Sequence, residues 1–456
     1  MTDNSGSRGA ARQRSRARAI GWAVIAAVNL ACALGIYLAV DVRVFDGGKA
    51  VEPVVPRVIG RFDPWLGWAL IPGAKAVSHR LAPPVEYRIN SKGLRSDQEH
   101  DYRAPDAIRR VVLLGDSNTF GFGVPIEAHF SSRLERLLEP AEIINLGVSA
   151  FGIDQELLSL RYEGLRYGPD LVIAYIPHYG DFRHMYRRRF GRGKPCFRYE
   201  AGGLQLVGSP VGAPNEPIEA GDEIETDDPH FGPLLQELGN RIVEEMHRVT
   251  SAAGASFLLV TKVPSLVDFA RDVGMPVLDV RAAMAAPELK LPEGLGHMNA
   301  AGNQALAAEI AGFVRRRNLL AASSRPERRS GLHIALRVSA ASAAGAATTV
   351  RLWLDGEATP PSRPVTAPHQ RGEWEWVRFD FGGRALPRRL TIAGAMRGDH
   401  GAELAPQLWV SVIEVNGVWL RPGEGRVGGR PGPVRGRLAQ SARLEFDLAE
   451  AGLASR

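Results

Sequence analysis

Between residues 109 and 317 the sequence alternates apolar strand-like segments with helical ones, and this rhythm restricts the fold more than any other feature. Short, nearly continuous apolar runs such as RRVVLLG and PDLVIAYI are typical of strands buried on both faces of a sheet. Amphipathic segments such as AHFSSRLERLLE stand between them. Because parallel strands need a helical crossover, the pattern predicts an α/β region whose parallel sheet is covered by helices on both faces.

Near the N-terminus, residues 19–40 form a stretch of 22 residues without a charged side chain. As a helix rising about 1.5 Å per residue, the stretch spans a bilayer core of about 30 Å. Five arginines precede it, so the positive-inside rule predicts a cytoplasmic N-terminus and an exported remainder. A cleaved signal peptide is the alternative, although its apolar region is normally about 7–15 residues long. We therefore expect a single-pass inner-membrane protein whose main part is periplasmic or extracellular.

Composition narrows the class of protein further. An apolar share of 45% and a charged share of 23% fit a globular chain, and two cysteines exclude a disulfide-stapled scaffold. The net charge of +6 comes largely from the arginines before residue 19, so we expect no nucleic-acid partner.

Patterning divides the chain into six predicted parts. After the apolar helical segments end, alternating runs such as TTVRLWLDG and EWEWVRFDF are separated by glycine and proline turns, which is typical of a β-sandwich. The parts are a basic tail at 1–18, a transmembrane helix at 19–40, a Pro/Gly-rich arm at 41–106, the α/β domain at 107–320, a linker at 321–330 and the β-sandwich at 331–456.

Ser117 stands where the first strand of the α/β domain ends and a helix begins, within the segment GDSNT. The carboxyl edge of a parallel sheet is where α/β folds place their sites, and a helix N-terminus favours an oxyanion. The hydroxyl is therefore a candidate nucleophile. A plain helix N-cap is the alternative for a serine at this position.

His297 comes 180 residues later, just before the last helix of the domain. Loops that follow neighbouring parallel strands meet at one edge of the sheet, so the imidazole can lie beside Ser117. There it can take the hydroxyl proton and return it to a leaving group. A loop histidine that caps or packs locally is the alternative.

Four segments together resemble the SGNH (GDSL-type) hydrolase family, namely VVLLGDSNTFGFGV, NLGVSAFGIDQELL, PDLVIAYIPHYGDF and GHMNAAGN. Upstream, FDPWLGWALIPG and RINSKGLRS resemble membrane-anchored bacterial members of the family. The resemblance implies a flavodoxin-like three-layer α/β/α fold that cleaves or transfers esters, often acetyl groups on carbohydrate. It also implies that Ser117 is the nucleophile, that His297 is the general base and that no cofactor is needed.

The chain departs from the family at the oxyanion donors. The resemblance implies N–H donors at Ser117 and at Ala150, where the family has glycine. At Gly180 the family has an asparagine whose amide donates, and this chain lacks that side chain. Loss of one such donor costs on the order of 10²–10³ in rate, and His178 is an alternative donor.

The chain also departs at the acid that orients the histidine. The family has an aspartate two or three residues before it, whereas the nearest acid here is Glu293, four residues before His297. Either Glu293 takes that place, or the site works as a Ser–His dyad. Arg183 and Arg187–189, in the loop after the third segment, favour an anionic substrate if the loop borders the site, and are otherwise a solvated basic loop.

The β module faintly resembles calcium-dependent carbohydrate-binding modules through VRLWLDG and QLWVSVIEVNG. Asp399 and Glu403 are too few oxygen ligands for calcium, so we predict no metal. Tryptophans that could stack on sugar or lie in the core are Trp353, Trp374, Trp376, Trp409 and Trp419.

The sequence therefore predicts a membrane-anchored extracytoplasmic serine esterase that acts on an acylated glycan. The alternatives are an O-acetyltransferase of the same fold and an inactive SGNH protein that binds glycan during envelope polysaccharide assembly.

Overall fold

The computed structural model describes the greater part of the chain after residue 43. The described residues are 44–46, 49–51, 59–79, 83–103, 107–178, 188–189, 192–200, 203–212, 231–292, 296–321, 331–341, 347–359, 362–369, 373–397, 403–404, 408–432, 437–438 and 442–453. The predicted membrane helix, 19–40, lies outside them. Among the helices that are described, none is long and apolar enough to cross a bilayer.

The chain forms two compact units, Met1–Pro53 and Val54–Arg456. In the first, β1 (Val44–Asp46) and β2 (Lys49–Val51) pair antiparallel. The second begins with two further antiparallel hairpins, which precede the parallel sheet. Their strands are β3 (Gly60–Asp63), β4 (Gly67–Leu70), β5 (Lys75–Ser78) and β6 (Val85–Arg88).

Parallel strands and helices then alternate through the α/β region, interrupted by short antiparallel strands of an insertion. The strands are β7 (Arg109–Gly115), β8 (Ala141–Asn145), β9 (Leu171–Ile176), β10 (Arg188–Arg189), β11 (Arg192–Gly193), β12 (Cys196–Glu200), β13 (Gly203–Val207), β14 (Ser256–Thr261) and β15 (Val277–Asp279). The helices are α1 (Ser117–Phe120), α2 (Phe130–Leu137), α3 (Ile153–Tyr162), α4 (Phe231–Ala252), α5 (Pro264–Asp272) and α6 (Ala300–Arg316). The order β15-β14-β9-β7-β8, parallel throughout, confirms the predicted parallel sheet.

Helices cover both faces of this sheet. Val112 and Leu114 of β7 join a core with α3, α4 and α5, whereas Val111 and Leu113 face a second core with α2 and α6. Because successive side chains of a strand point to opposite faces, burial on both sides requires the nearly continuous apolar runs seen in the sequence. The sequence patterns did not indicate α5, because its 9 residues give too few turns for an apolar period to stand out.

The C-terminal β region consists of two antiparallel sheets, which confirms the β-rich end of the chain. The strands are β16 (His333–Ala340), β17 (Ala347–Leu354), β18 (Glu357–Ala358), β19 (Arg363–Val365), β20 (Glu375–Asp380), β21 (Arg389–Arg397), β22 (Glu403–Leu404), β23 (Leu408–Val415), β24 (Val418–Leu420), β25 (Arg426–Val427), β26 (Arg430–Pro431), β27 (Arg437–Leu438) and β28 (Leu444–Asp447). One sheet has the order β20-β16-β23-β24, and β27 also pairs with β23. The other has the order β18-β17-β21-β28-β25-β26, where β19 also pairs with β17 and β22 with β21.

Helix α3 packs against this β region. Trp419 is 3% exposed and meets the ring of Tyr162 edge-on, with ring centroids 5.5 Å apart. Arg166 donates to the Trp419 carbonyl at 3.3 Å, and Arg161 pairs with Glu414 at 3.5 Å. Trp419 therefore holds the two regions together, and its ring is not open to a sugar.

Candidate active site

Ser117 is the first residue of α1, immediately beyond the carboxyl end of β7. Asp116 is the N-cap, because its carboxylate accepts the Asn118 N–H at 2.9 Å and the Asn118 side-chain amide at 3.2 Å. The alternative that Ser117 itself caps the helix is therefore wrong. Because Asp116 caps the helix, the hydroxyl of Ser117 is available for a different contact.

His297 supplies that contact. Its Nε2 lies 2.7 Å from Ser117 Oγ, although the residues are 180 positions apart in the chain. The Leu291 N–H donates to the His297 carbonyl at 2.8 Å, which fixes the backbone of the loop before α6. The ring of Phe122 packs on the imidazole with centroids 4.7 Å apart. A base at this distance from a hydroxyl is within reach of its proton.

Arg95 secures the carboxyl end of α1. Its guanidinium donates to the carbonyls of Phe120 at 2.8 Å, Val124 at 2.6 Å and Gly121. The side chain is 2% exposed and lies over the ring of Tyr87 at 4.5 Å. Burial lowers the pKa of Arg95 to about 10, so it stays charged at neutral pH. One side chain thus binds the last carbonyl of α1 and two carbonyls of the turn that follows it.

His129 satisfies another carbonyl of the same helix. Its Nε2 lies 3.2 Å from the Asn118 oxygen, and its Nδ1 lies 2.7 Å from the Ser131 hydroxyl. Burial, and secondarily the charge of Arg95, lower the pKa of His129 to about 3. The imidazole is therefore neutral at pH 7, with Nε2–H as donor and Nδ1 as acceptor.

The loop after β8 packs directly on α1. Asn145 donates its side-chain amide to the Thr119 carbonyl at 2.8 Å and accepts the Gly147 N–H at 2.9 Å. A Cβ on Gly147 would lie 2.4 Å from the Phe120 nitrogen, so only glycine permits this approach. The turns that follow β7 and β8 are consequently locked together.

Ala150 lies in that same loop in a left-handed conformation, with φ of 66°. The indole N–H of Trp68 donates to the carbonyl of Ser149 at 3.1 Å and holds the loop from outside. Among the described residues, the N–H groups of Ser117 and Ala150 find no hydrogen-bond partner, although both residues are buried. Two unengaged N–H groups at neighbouring strand ends suit an oxyanion that forms beside the serine.

The other predicted site residues are only partly described. Gly180 and Glu293 lie outside the described residues, as do Arg183 and Arg187. His178 is described: its side chain is 46% exposed, and its Nε2 lies 3.8 Å from Asp116 Oδ2. His178 therefore stands at the edge that carries Ser117, beside the N-cap of α1.

Sequence reasoning missed the residues that hold the nucleophile turn, namely Arg95, His129, Asn145 and Trp68. Arg95 belongs to the segment RINSKGLRS, and the family resemblance of this segment was the signal that could have drawn attention to it. Nothing in that segment shows that its arginine reaches carbonyls 25 to 29 residues further along the chain.

For the β module, Asp399 lies outside the described residues. Within the part of the chain that is described, no three side chains of the metal-binding types gather into a cluster.

Comparison with solved structures finds similarity to lipolytic enzymes. One is a lipolytic protein of the G-D-S-L family from Desulfitobacterium hafniense, 13% identical over 45% of this chain and 98% of that one, with a TM-score of 0.30. A lipase/acylhydrolase from Enterococcus faecalis is 19% identical over 46% of this chain and 96% of that one, with a TM-score of 0.30. A two-domain esterase active on acetylated mannans is 11% identical over 67% and 90% respectively, with a TM-score of 0.31.

These three neighbours are hydrolases, and one of them carries the name of the family that the four sequence segments resemble. No family model matches the chain, and no curated protein matches it.

Proposed function

We propose that the chain is a serine esterase that uses Ser117 as nucleophile and His297 as general base. The observation that carries the proposal is the 2.7 Å separation of Ser117 Oγ and His297 Nε2 at the carboxyl edge of the sheet. Both groups are held in place. Arg95 donates a hydrogen bond to the end of the helix that begins with Ser117, and the ring of Phe122 packs on His297. Such an arrangement is what nucleophilic catalysis by a serine requires.

The reaction has two halves. As Ser117 Oγ bonds to the acyl carbon, its proton passes to His297 Nε2, and the N–H groups of Ser117 and Ala150 receive the developing oxyanion. Collapse breaks the bond to the alcohol oxygen, which leaves with the proton from His297. Water then attacks the acyl-enzyme and gives one proton to His297. That proton returns to Ser117 Oγ as the acid departs.

Glu293, Gly180 and a membrane anchor complete the proposed enzyme. Glu293 would orient the imidazole, and the N–H of Gly180 would be a further oxyanion donor. We propose an acylated glycan as substrate and anchorage in the inner membrane. The uncharged stretch at 19–40 behind an arginine cluster supports the anchor, and the attached β region supports an extended substrate.

The test uses the full-length protein in a neutral detergent with 4-nitrophenyl acetate as substrate. Ser117→Ala and His297→Ala should each lower turnover at least about 10⁴-fold, because the two groups act as one unit. A fluorophosphonate probe should label the wild-type protein and leave Ser117→Ala unlabelled. Turnover by Ser117→Ala at the wild-type rate would remove the esterase assignment.

A further inference from the structure

Lys262 lies at the edge of the sheet that carries the serine. β14 ends with Thr261 opposite Ile176 of β9, and β9 is the neighbour of β7. Lys262 follows directly and is half-buried. It stands two strands from the turn that bears Ser117, which is about 10 Å at roughly 4.8 Å per strand.

A second lysine, Lys290, is linked through its backbone to the residue that follows the base. It forms an antiparallel bridge with Met298, the residue after His297. The next residue, Leu291, donates its N–H to the His297 carbonyl at 2.8 Å. Lys290 is therefore attached to the loop that positions the base, and its side chain is exposed.

The described carboxylates at this edge are already engaged. Asp116 caps α1 and lies 3.8 Å from His178. Asp279, the last residue of β15, pairs with Arg281 at 2.6 Å. Arg281 therefore neutralises Asp279, whereas Asp116 still attracts Lys262.

Neither Lys262 nor Lys290 forms a salt bridge with a described residue. Burial and the charge of Lys290 lower the pKa of Lys262, while Asp116 acts in the opposite direction. The chain has six lysines in 456 residues, and two of them belong to backbone segments that border this site.

We propose that Lys262 and Lys290 form an anion-binding subsite beside the Ser117–His297 pair, so that the preferred substrate is an ester with a carboxylate near the reacting acyl group. This inference rests on the proposed esterase function. The carboxylate can belong to the carrier, as in an acylated polyuronate, or to the acyl group, as in a hemisuccinate. In either case two flexible ammonium groups would attract and orient the anion.

The experiment compares matched neutral and anionic esters on the full-length protein in neutral detergent. One pair is acetylated polyuronate against an acetylated neutral glucan, and the other is 4-nitrophenyl hemisuccinate against 4-nitrophenyl acetate. The wild-type kcat/KM should favour the anionic member of at least one pair by about tenfold, and the pair that responds identifies the source of the carboxylate. Added salt should reduce the preference.

Substitution of the lysines tests their part. Lys262→Ala and Lys290→Ala should each reduce the anionic-to-neutral ratio of kcat/KM about three- to fivefold, and the double variant should reduce it further. Lys75→Ala, which removes an exposed lysine from β5, is the matched control and should keep the wild-type ratio. Equal turnover within both pairs, or a preference that survives in the double variant, overturns the subsite.

A failure of the esterase proposal would look different. If no ester is turned over, the subsite is tested by calorimetry of deacetylated oligouronate and of succinate binding to Ser117→Ala. Binding that weakens when both lysines are also replaced supports the subsite. Absence of binding, or binding that the lysines do not affect, overturns it.

Discussion

The turn that carries Ser117 and the contact between the α/β and β regions each depend on a buried arginine. Arg95 and Arg337 are 2% and 6% exposed, and burial lowers the pKa of each to about 10. Among the described residues, the acceptors of both guanidinium groups are uncharged oxygens. Arg95 reaches three carbonyls of residues 120–124, whereas Arg337 reaches the carbonyls of Leu206 and Ser209 and the hydroxyl of Ser411, at 2.8 to 3.0 Å.

The two arginines differ in the function of the backbone segment that each one binds. The segment under Arg95 includes Phe122, which packs on His297, and it follows directly from Ser117. The segment under Arg337 is the end of the hairpin β12–β13, which it joins to the β region. The same chemistry therefore positions a nucleophile in one place and fastens two regions in the other.

Replacement of the two arginines should give the largest contrast. Arg95→Met should lower kcat about 10²-fold with little change in KM, because a shift of about 1 Å in the nucleophile turn is enough for such a loss. Arg337→Met should keep kcat within about twofold. Both variants should lose about 2–4 kcal/mol of unfolding free energy, since buried carbonyls lose their donors.

Steady-state kinetics and urea unfolding separate these effects. Arg95→Lys, which keeps a charged donor, should recover part of the kcat lost in Arg95→Met. Equal losses of kcat in Arg95→Met and Arg337→Met would erase the distinction between the two regions.

Acid should weaken the nucleophile turn through His129. The pKa of this residue is about 3 in the folded protein against an ordinary value of 6.5. Between these two pH values the unfolded chain therefore binds a proton at His129, whereas the folded chain does not. His129 thus contributes stability that is fully present above pH 6.5 and is lost as the pH falls toward 3. Urea midpoints between pH 7 and pH 4 should fall less steeply in His129→Gln, which does not titrate. Identical slopes would show that another group controls acid sensitivity.

The smallest expected effect concerns the loop after β8. Ala150 holds a φ of 66°, which disfavours a residue with a Cβ. Ala150→Gly should raise the free energy of unfolding by about 0.5–1 kcal/mol, the relief of strain being partly offset by the greater freedom of glycine in the unfolded chain. Ala150→Val should lower it. Thermal unfolding measures both, and a stabilised valine variant would contradict the assignment of strain.

The sequence could predict the parallel α/β sheet and the β-rich C-terminal end because both follow from short-range periodicity. It also singled out Ser117 and His297 through their places at element boundaries. It could not decide whether Ser117 caps its helix, since Asp116 is an equally good cap and only the backbone shows which residue is used. It did not indicate α5, because a helix of 9 residues has too few turns for its apolar period to stand out.

The sequence by itself determined which segments become strands and helices, because side-chain periods of about 2 and 3.6 residues are local properties of the chain. Tertiary structure alone decided that His297 meets Ser117 and that Arg95 and His129 reach carbonyls of α1. These contacts depend on the order and register of the strands. Strand order and register are fixed by the joint burial of the whole apolar surface, so no single segment of the sequence encodes these contacts.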